Sequence, residues 1–386
     1  MRIVTAFAVM LLFLTACQND PDPTGIGLVP DADLIEALRF DSQRDSSALR
    51  HAVYPFTMTH ASSSVLSVGF ADGDSSRALL RWIYLPDSSW DGGRIVSASI
   101  RLRSASYHIG DVNASYRIEA QEITSFWNSF TFTTDSLPTL QRQAVPAGVF
   151  EGTLGVSDSI DIPLDSTLVR KWLVNSHEGK YSENYGVLLV APNGGIRSFF
   201  SLDAGTGLAP ELTVVIESNG KLDTLRGDSG DDTFIASGPM HEDAQRIVLQ
   251  GGTSVRGKLF FDLSAIPPAS VVNYATLYLT MDPALSTKNY HGADSVLVYE
   301  SVDSTENLLS STGVITRIDN AMPGILIAEG SPVTRAVQNW VNGRGNRGFI
   351  LVAMNENTDL DRIALYGADA DADKRPRLVV TYTSQP

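Results

Sequence analysis

Cysteine is nearly absent from this chain of 386 residues, the single one being Cys17. Without a second thiol there is no intrachain disulfide, thiolate zinc site or paired redox centre, so whatever folds here stands on packing alone. Basic residues are scarce as well: 29 Lys and Arg face 44 Asp and Glu, the formal net charge is -15, and no short stretch is rich in Lys or Arg. A phosphate backbone needs a basic footprint, which excludes nucleic acid as a partner. Long apolar runs are missing. The segment Ile3 to Leu14 has twelve residues, against the roughly 20 of a spanning helix, and no later segment approaches that length. Catalytic motifs are equally thin. The six histidines, His51, His60, His108, His177, His241 and His291, form no HExxH and no pair at metal-ligand spacing.

The N-terminus has a pattern of its own. Arg2 precedes the short apolar segment, and Leu14-Thr15-Ala16-Cys17 closes it, as in a bacterial lipoprotein signal. The expectation is that residues 1–16 are a processed signal peptide, that Cys17 is the lipidated first residue, and that 17–44 form a tether and lead-in. Attachment then rests on acyl chains, at about 0.8 kcal/mol per buried CH₂. The run Gln18 to Gly25, with Pro21, Pro23, Asp20 and Asp22, is a polar flexible linker.

The body of the chain repeats itself. Val96, Ala98, Ile100 and Leu102 alternate with polar residues, and Ala275, Leu277, Leu279 and Met281 do the same, the period of a half-buried strand. Each run follows an apolar strand ending at a proline, Leu79 to Pro86 in one case and Leu259 to Pro267 in the other. Leu168-Val169 with Trp172-Leu173, and Ala336-Val337 with Trp340-Val341, each form one face of a short helix. Ser331-Pro332 supplies an N-cap and first residue for the second helix, and Asn342-Gly343 a stop. Asn184-Tyr185-Gly186 and Asn346-Arg347-Gly348 then lead into buried strands, and Pro210 and Pro376 open the last ones. Four landmarks in the same order imply a tandem duplication of one all-β unit. The polar stretch 217–221 reads as the junction, which places one unit at 45–218 and the other at 222–386. Short strands and a single brief helix per unit predict two tandem β-sandwiches of jelly-roll type.

The stretch Arg256 to Pro267, followed by Ala275 to Leu279, resembles the central motif of DNRLRE-type domains, which are related to carbohydrate-binding modules. Trp340, the Asn346-to-Gly348 turn and Pro376 to Leu378 are similar to the remaining landmarks of that family. The first copy departs more, with Trp82-Ile83-Tyr84 where Asp and Leu are usual. It keeps Trp127, Thr131 and Pro138 of the family's Trp, Thr-Trp, Pro stretch, with Phe132 replacing the second tryptophan. The acidic residues behind Cys17 resemble the export signal of Bacteroidota surface lipoproteins. Together the resemblances imply a non-catalytic, lipid-anchored protein of the cell outer membrane, on its periplasmic or its surface side, whose modules bind polysaccharide or another surface ligand. Two rival functions are a structural or assembly lipoprotein contacting envelope proteins, and an enzyme acting on polysaccharide.

Individual residues add little chemistry. Gly227-Asp228-Ser229-Gly230 matches part of the serine-protease nucleophile motif, but Asp231 replaces the expected glycine and no histidine base is placed for it. A turn is the expectation. Asp369, Asp371 and Asp373 alternate as in a calcium loop, yet Lys374 stands where that loop requires glycine. Calcium is therefore the one cofactor the pattern admits, and a solvated acidic loop is the expectation. Trp172, Trp340 and Trp127 read as core. Trp90, in the Asp87-to-Gly93 turn, is the best candidate for a ligand platform, on which the CH face of a sugar ring would stack, the alternative being an indole folded over the sandwich edge.

Overall fold

A computed structural model describes residues 36–45, 47–85, 92–241, 243–287, 295–303 and 307–384. The signal, Cys17, the tether and Trp90 lie outside them. The chain opens with β1 (Ala37–Asp41) and β2 (Leu49–Pro55). Next come β3 (Val65–Ala71), β4 (Asp74–Arg81), β5 (Arg94–Leu102), β6 (Ser104–Ile109), β7 (Ser115–Glu122), β8 (Gly148–Thr153), β9 (Ile160–Pro163) and helix α1 (Ser166–His177). They continue into β10 (Val187–Asn193), β11 (Gly195–Phe200), β12 (Glu211–Ser218), β13 (Lys221–Asp228) and β14 (Asp231–Ser237). The second half holds β15 (Arg246–Gln250), β16 (Val255–Phe261), β17 (Val271–Thr280), β18 (Val296–Ser301), β19 (Leu309–Ile315), β20 (Arg317–Ile318) and β21 (Ile325–Glu329). Helix α2 (Ser331–Val341), β22 (Phe349–Ala353), β23 (Arg362–Tyr366) and β24 (Arg377–Thr383) complete it.

These strands make an all-β fold of two sandwiches. In the first, a sheet ordered β6-β11-β3-β4-β10-β7-β8, with β14 added beside β4, faces a sheet ordered β13-β12-β5-β9. In the second, β19-β18-β22-β16-β15-β23, with β2 beside β16, faces β1-β24-β17-β21-β20. The duplication is thus written into the sheet order, with β6 of the first sandwich and β20 of the second as the strands without a counterpart. Alternation produces the packing: Leu212, Val214 and Ile216 of β12 point inward with Ala98 and Ile100 of β5, and Leu378 and Val380 of β24 do so with Ala275 and Leu277 of β17. The Asn-x-Gly turns are fixed by contact. A Cβ at Gly186 would lie 1.8 Å from the Leu80 carbonyl oxygen and one at Gly348 2.2 Å from that of Leu259, so only glycine allows the backbones to meet.

Strand pairing redraws the two units expected at 45–218 and 222–386. The stretch expected as a junction is a tight hairpin within the first sandwich: Asn219 and Gly220 take φ of +50° and +71°, and Ser218 pairs with Lys221. Two successive left-handed residues suit the right-handed twist of the flanking strands, and Asn-Gly is the pair that tolerates them. The chain therefore returns along β13 and enters β14, which pairs with β4 over seven residues. Conversely, β1 pairs with β24 and β2 with β16, so the N-terminal strands belong to the second sandwich. The first sandwich is a continuous 65–237. It is inserted into the second, which consists of 37–55 and 246–383.

Polar contacts join the two sandwiches. Gln250 Nε2 donates to Asp74 Oδ2 at 2.7 Å, and the Tyr107 hydroxyl donates to Asp361 Oδ1 at 3.0 Å while accepting from the Leu360 amide at 2.8 Å. All of these residues are buried. Burial, helped by the Asp361 charge, pushes the Asp359 carboxyl up to about 7.

Candidate ligand-binding groove

The second sandwich carries an open groove of about 760 Å³ at the end of α2. Helix α2 begins one residue earlier than the sequence implies, with Gly330 in the cap position and Ser331 as its first residue. Its buried face is Val333, Ala336, Val337, Trp340 and Val341, and Asn342 caps the end as expected. Trp340 lies in the last turn, 6% exposed, with its ring edge-on to Phe349 at 4.7 Å between centroids. Its Nε1 is buried and has no hydrogen-bond partner among the described residues.

Phe260, Asp262, Leu263, Ser264, Trp340 and Asn346 are the lining residues that matter chemically. Backbone bonds hold the acidic one in place. The Asp262 amide donates to the Ala48 carbonyl at 2.9 Å, its carbonyl accepts from the Ser47 hydroxyl, and its Oδ1 accepts from the Ser264 amide at 2.9 Å. Asn346 Nδ2 donates to the Phe261 carbonyl at 2.6 Å. The Arg50 guanidinium, from β2, lies 4.4 Å from the centre of the Phe260 ring. The groove therefore has an apolar floor and a polar wall, and the wall is positioned partly by the N-terminal strand.

The first copy carries a longer turn at the same place. From Trp172 to Asn184 is twelve positions, whereas from Trp340 to Asn346 is six. The additional residues form a short turn whose Tyr181 ring packs on Tyr84, 5.1 Å between centroids. Tyr84 stands where the second copy has Leu263, given that Gly186 abuts Leu80 as Gly348 abuts Leu259. Beneath them, Trp82 stacks on Trp172 at 5.8 Å and donates Nε1 to the Gly227 carbonyl. In the second copy the turn is shorter, and the groove opens beside it.

The remaining residues singled out by the sequence fall elsewhere. Trp172 is 2% exposed and Trp127 2%, the latter donating Nε1 to the Tyr185 carbonyl, so both are core as expected, with Trp340. Ser229 is buried on the turn between β13 and β14, its hydroxyl donating to Asp232 Oδ2 at 3.1 Å. Burial pushes the Asp232 carboxyl up to about 6. His60 is buried against Phe234, and burial lowers its imidazole to about 4. Asp371 pairs with Lys374 at 3.4 Å on the turn that carries Asp369 and Asp373. Among the described residues no group of three or more His, Cys, Asp or Glu has the arrangement to hold a metal ion. Cys17, the expected lipidation site, and Trp90, the candidate platform, lie outside the described residues. The groove itself is a feature the sequence reading missed, although the six-residue difference between the two turns marks it. In comparisons with known proteins, the chain matches no family model and no curated protein.

Proposed function

We propose that this is a lipid-anchored, non-catalytic protein of the bacterial cell envelope whose second sandwich binds an uncharged polysaccharide in the groove beside Trp340. One observation carries the reading: the copies share a fold, yet among the described residues it is the second that shows an open groove, with an apolar floor flanked by Asp262, Ser264 and Asn346. A pyranose ring presents CH groups on its faces and hydroxyls around its rim, which suits an apolar floor beside a polar wall. The carboxylate of Asp262 and the net charge of -15 favour an uncharged chain over an anionic one. The signal-like residues around Cys17 and the resemblance to DNRLRE-type domains support the anchor and the ligand class.

The test is retention of residues 18–386 in affinity electrophoresis on a panel of neutral and anionic polysaccharides. Retardation by at least one neutral polysaccharide is expected. A folded protein that migrates freely through every gel would defeat the proposal and favour an envelope protein as the partner.

A further inference from the structure

We propose that a charge code, distributed over two positions in each sandwich, directs β1–β2 into the second sandwich and keeps them out of the first. The two strand pairs β1–β2 and β13–β14 occupy equivalent slots: β1 and β13 are the edges beside β24 and β12, and β2 and β14 lie beside β16 and β4. Each slot is therefore shaped for either pair. During synthesis the first sandwich's slot stands empty beside β1–β2 until β13–β14 emerge. Something other than backbone shape has to reject the early arrival.

The signs of the charges do so. On β24, Arg377 Nε donates to Asp41 Oδ1 at 2.9 Å and a second guanidinium nitrogen bonds the other oxygen. Asp41 is 2% exposed, and the Arg377 hydrogen bonds hold its carboxyl below the usual carboxylate range. The equivalent residues of the first sandwich carry the opposite signs. Glu211 follows Pro210 as Arg377 follows Pro376, and it pairs with Arg226 of β13 at 3.6 Å. The registers agree, because Asp41 faces Val379 and Arg226 faces Thr213, each two residues beyond the charged partner. On the neighbouring sheet, Arg81 faces Asp231 and forms a salt bridge with it, whereas the equivalent Phe260 faces Arg50. If β1–β2 took the first sandwich's slot, Asp41 would meet Glu211 and Arg50 would meet Arg81, which is 8% exposed. Both encounters join like charges across a strand pair, and the second leaves a buried guanidinium without its carboxylate.

The experiment uses the full chain with Cys17→Ala, so that introduced cysteines are the only thiols. Arg39→Cys with Thr381→Cys reports the observed pairing, since those residues face each other. Arg39→Cys with Val215→Cys reports the alternative, Val215 being the β12 equivalent of Thr381. In the parent the first reporter should oxidise to near completion and the second should not. Asp41→Arg with Arg50→Asp gives β1–β2 the charges of β13–β14. The 39/215 cross-link should then appear in a substantial fraction of chains and the 39/381 cross-link should fall correspondingly. Adding Arg377→Glu supplies a partner for the new guanidinium at position 41 and should restore much of the 39/381 product. This also covers a double variant whose β1 pairs nowhere. Cross-linking that stays entirely 39/381 in the double variant would overturn the code, as would a triple variant that recovers none of a lost 39/381 product.

Discussion

Removing residues 36–55 should unfold the second sandwich and leave the first folded. These residues precede the first sandwich in the chain, yet they pair at five positions with β24 and at seven with β16. Phe40, 3% exposed, packs in the second core, and its loss alone costs about 2–3 kcal/mol. Each lost backbone hydrogen bond adds about 1 kcal/mol, and Arg377 loses its carboxylate partner. The total is on the scale of the ~5–15 kcal/mol that holds a domain together. The first sandwich contributes none of its own strands to those contacts. Limited proteolysis of the deletion variant, followed by mass analysis, should return a resistant fragment spanning 65–237 and only small peptides from 246–383. A resistant C-terminal fragment would show that the second sandwich stands without its N-terminal strands.

Trp340→Ala carries the next largest effect. The indole is 6% exposed, closes the last turn of α2 and meets Phe349 edge-on, so its removal leaves a cavity between helix and sheet. Truncation of a buried tryptophan costs about 3–5 kcal/mol, which in a domain of this size lowers the melting temperature by roughly 10–15 °C. The loss falls at the high end of such values where neighbours cannot collapse into the space, and here the Asn346 turn and β22 are both pinned by hydrogen bonds and sheet pairing. Thermal melting followed by near-ultraviolet circular dichroism reads the change. An unaltered melting curve would mean that Trp340 is not part of the core.

Periodicity made the sheets legible in the sequence. Ala98-Ile100-Leu102 and Ala275-Leu277-Leu279 face inward as their alternation requires, and the helices sit where Trp172 and Trp340 imply. The route of the chain between sandwiches was not legible. Asn219-Gly220 with its polar flanks reads as a linker or as a hairpin turn, because polar, glycine-containing stretches serve both. The allegiance of β1 and β2 is also hidden, since Asp41 and Arg377 are 336 positions apart and only pairing joins them. The groove escaped for a related reason. An absence of six residues leaves no motif behind, and it becomes informative only when the second turn is laid against the first.

Closing the groove tests the central claim most directly. Replacing residues 341–345 with residues 173–183 of the first copy, together with Leu263→Tyr, gives the second copy the longer turn and the tyrosine pair of the first. The account predicts that this variant melts with the parent and loses its retardation by the polysaccharide that retains the parent. Undiminished retardation with the groove filled would contradict it.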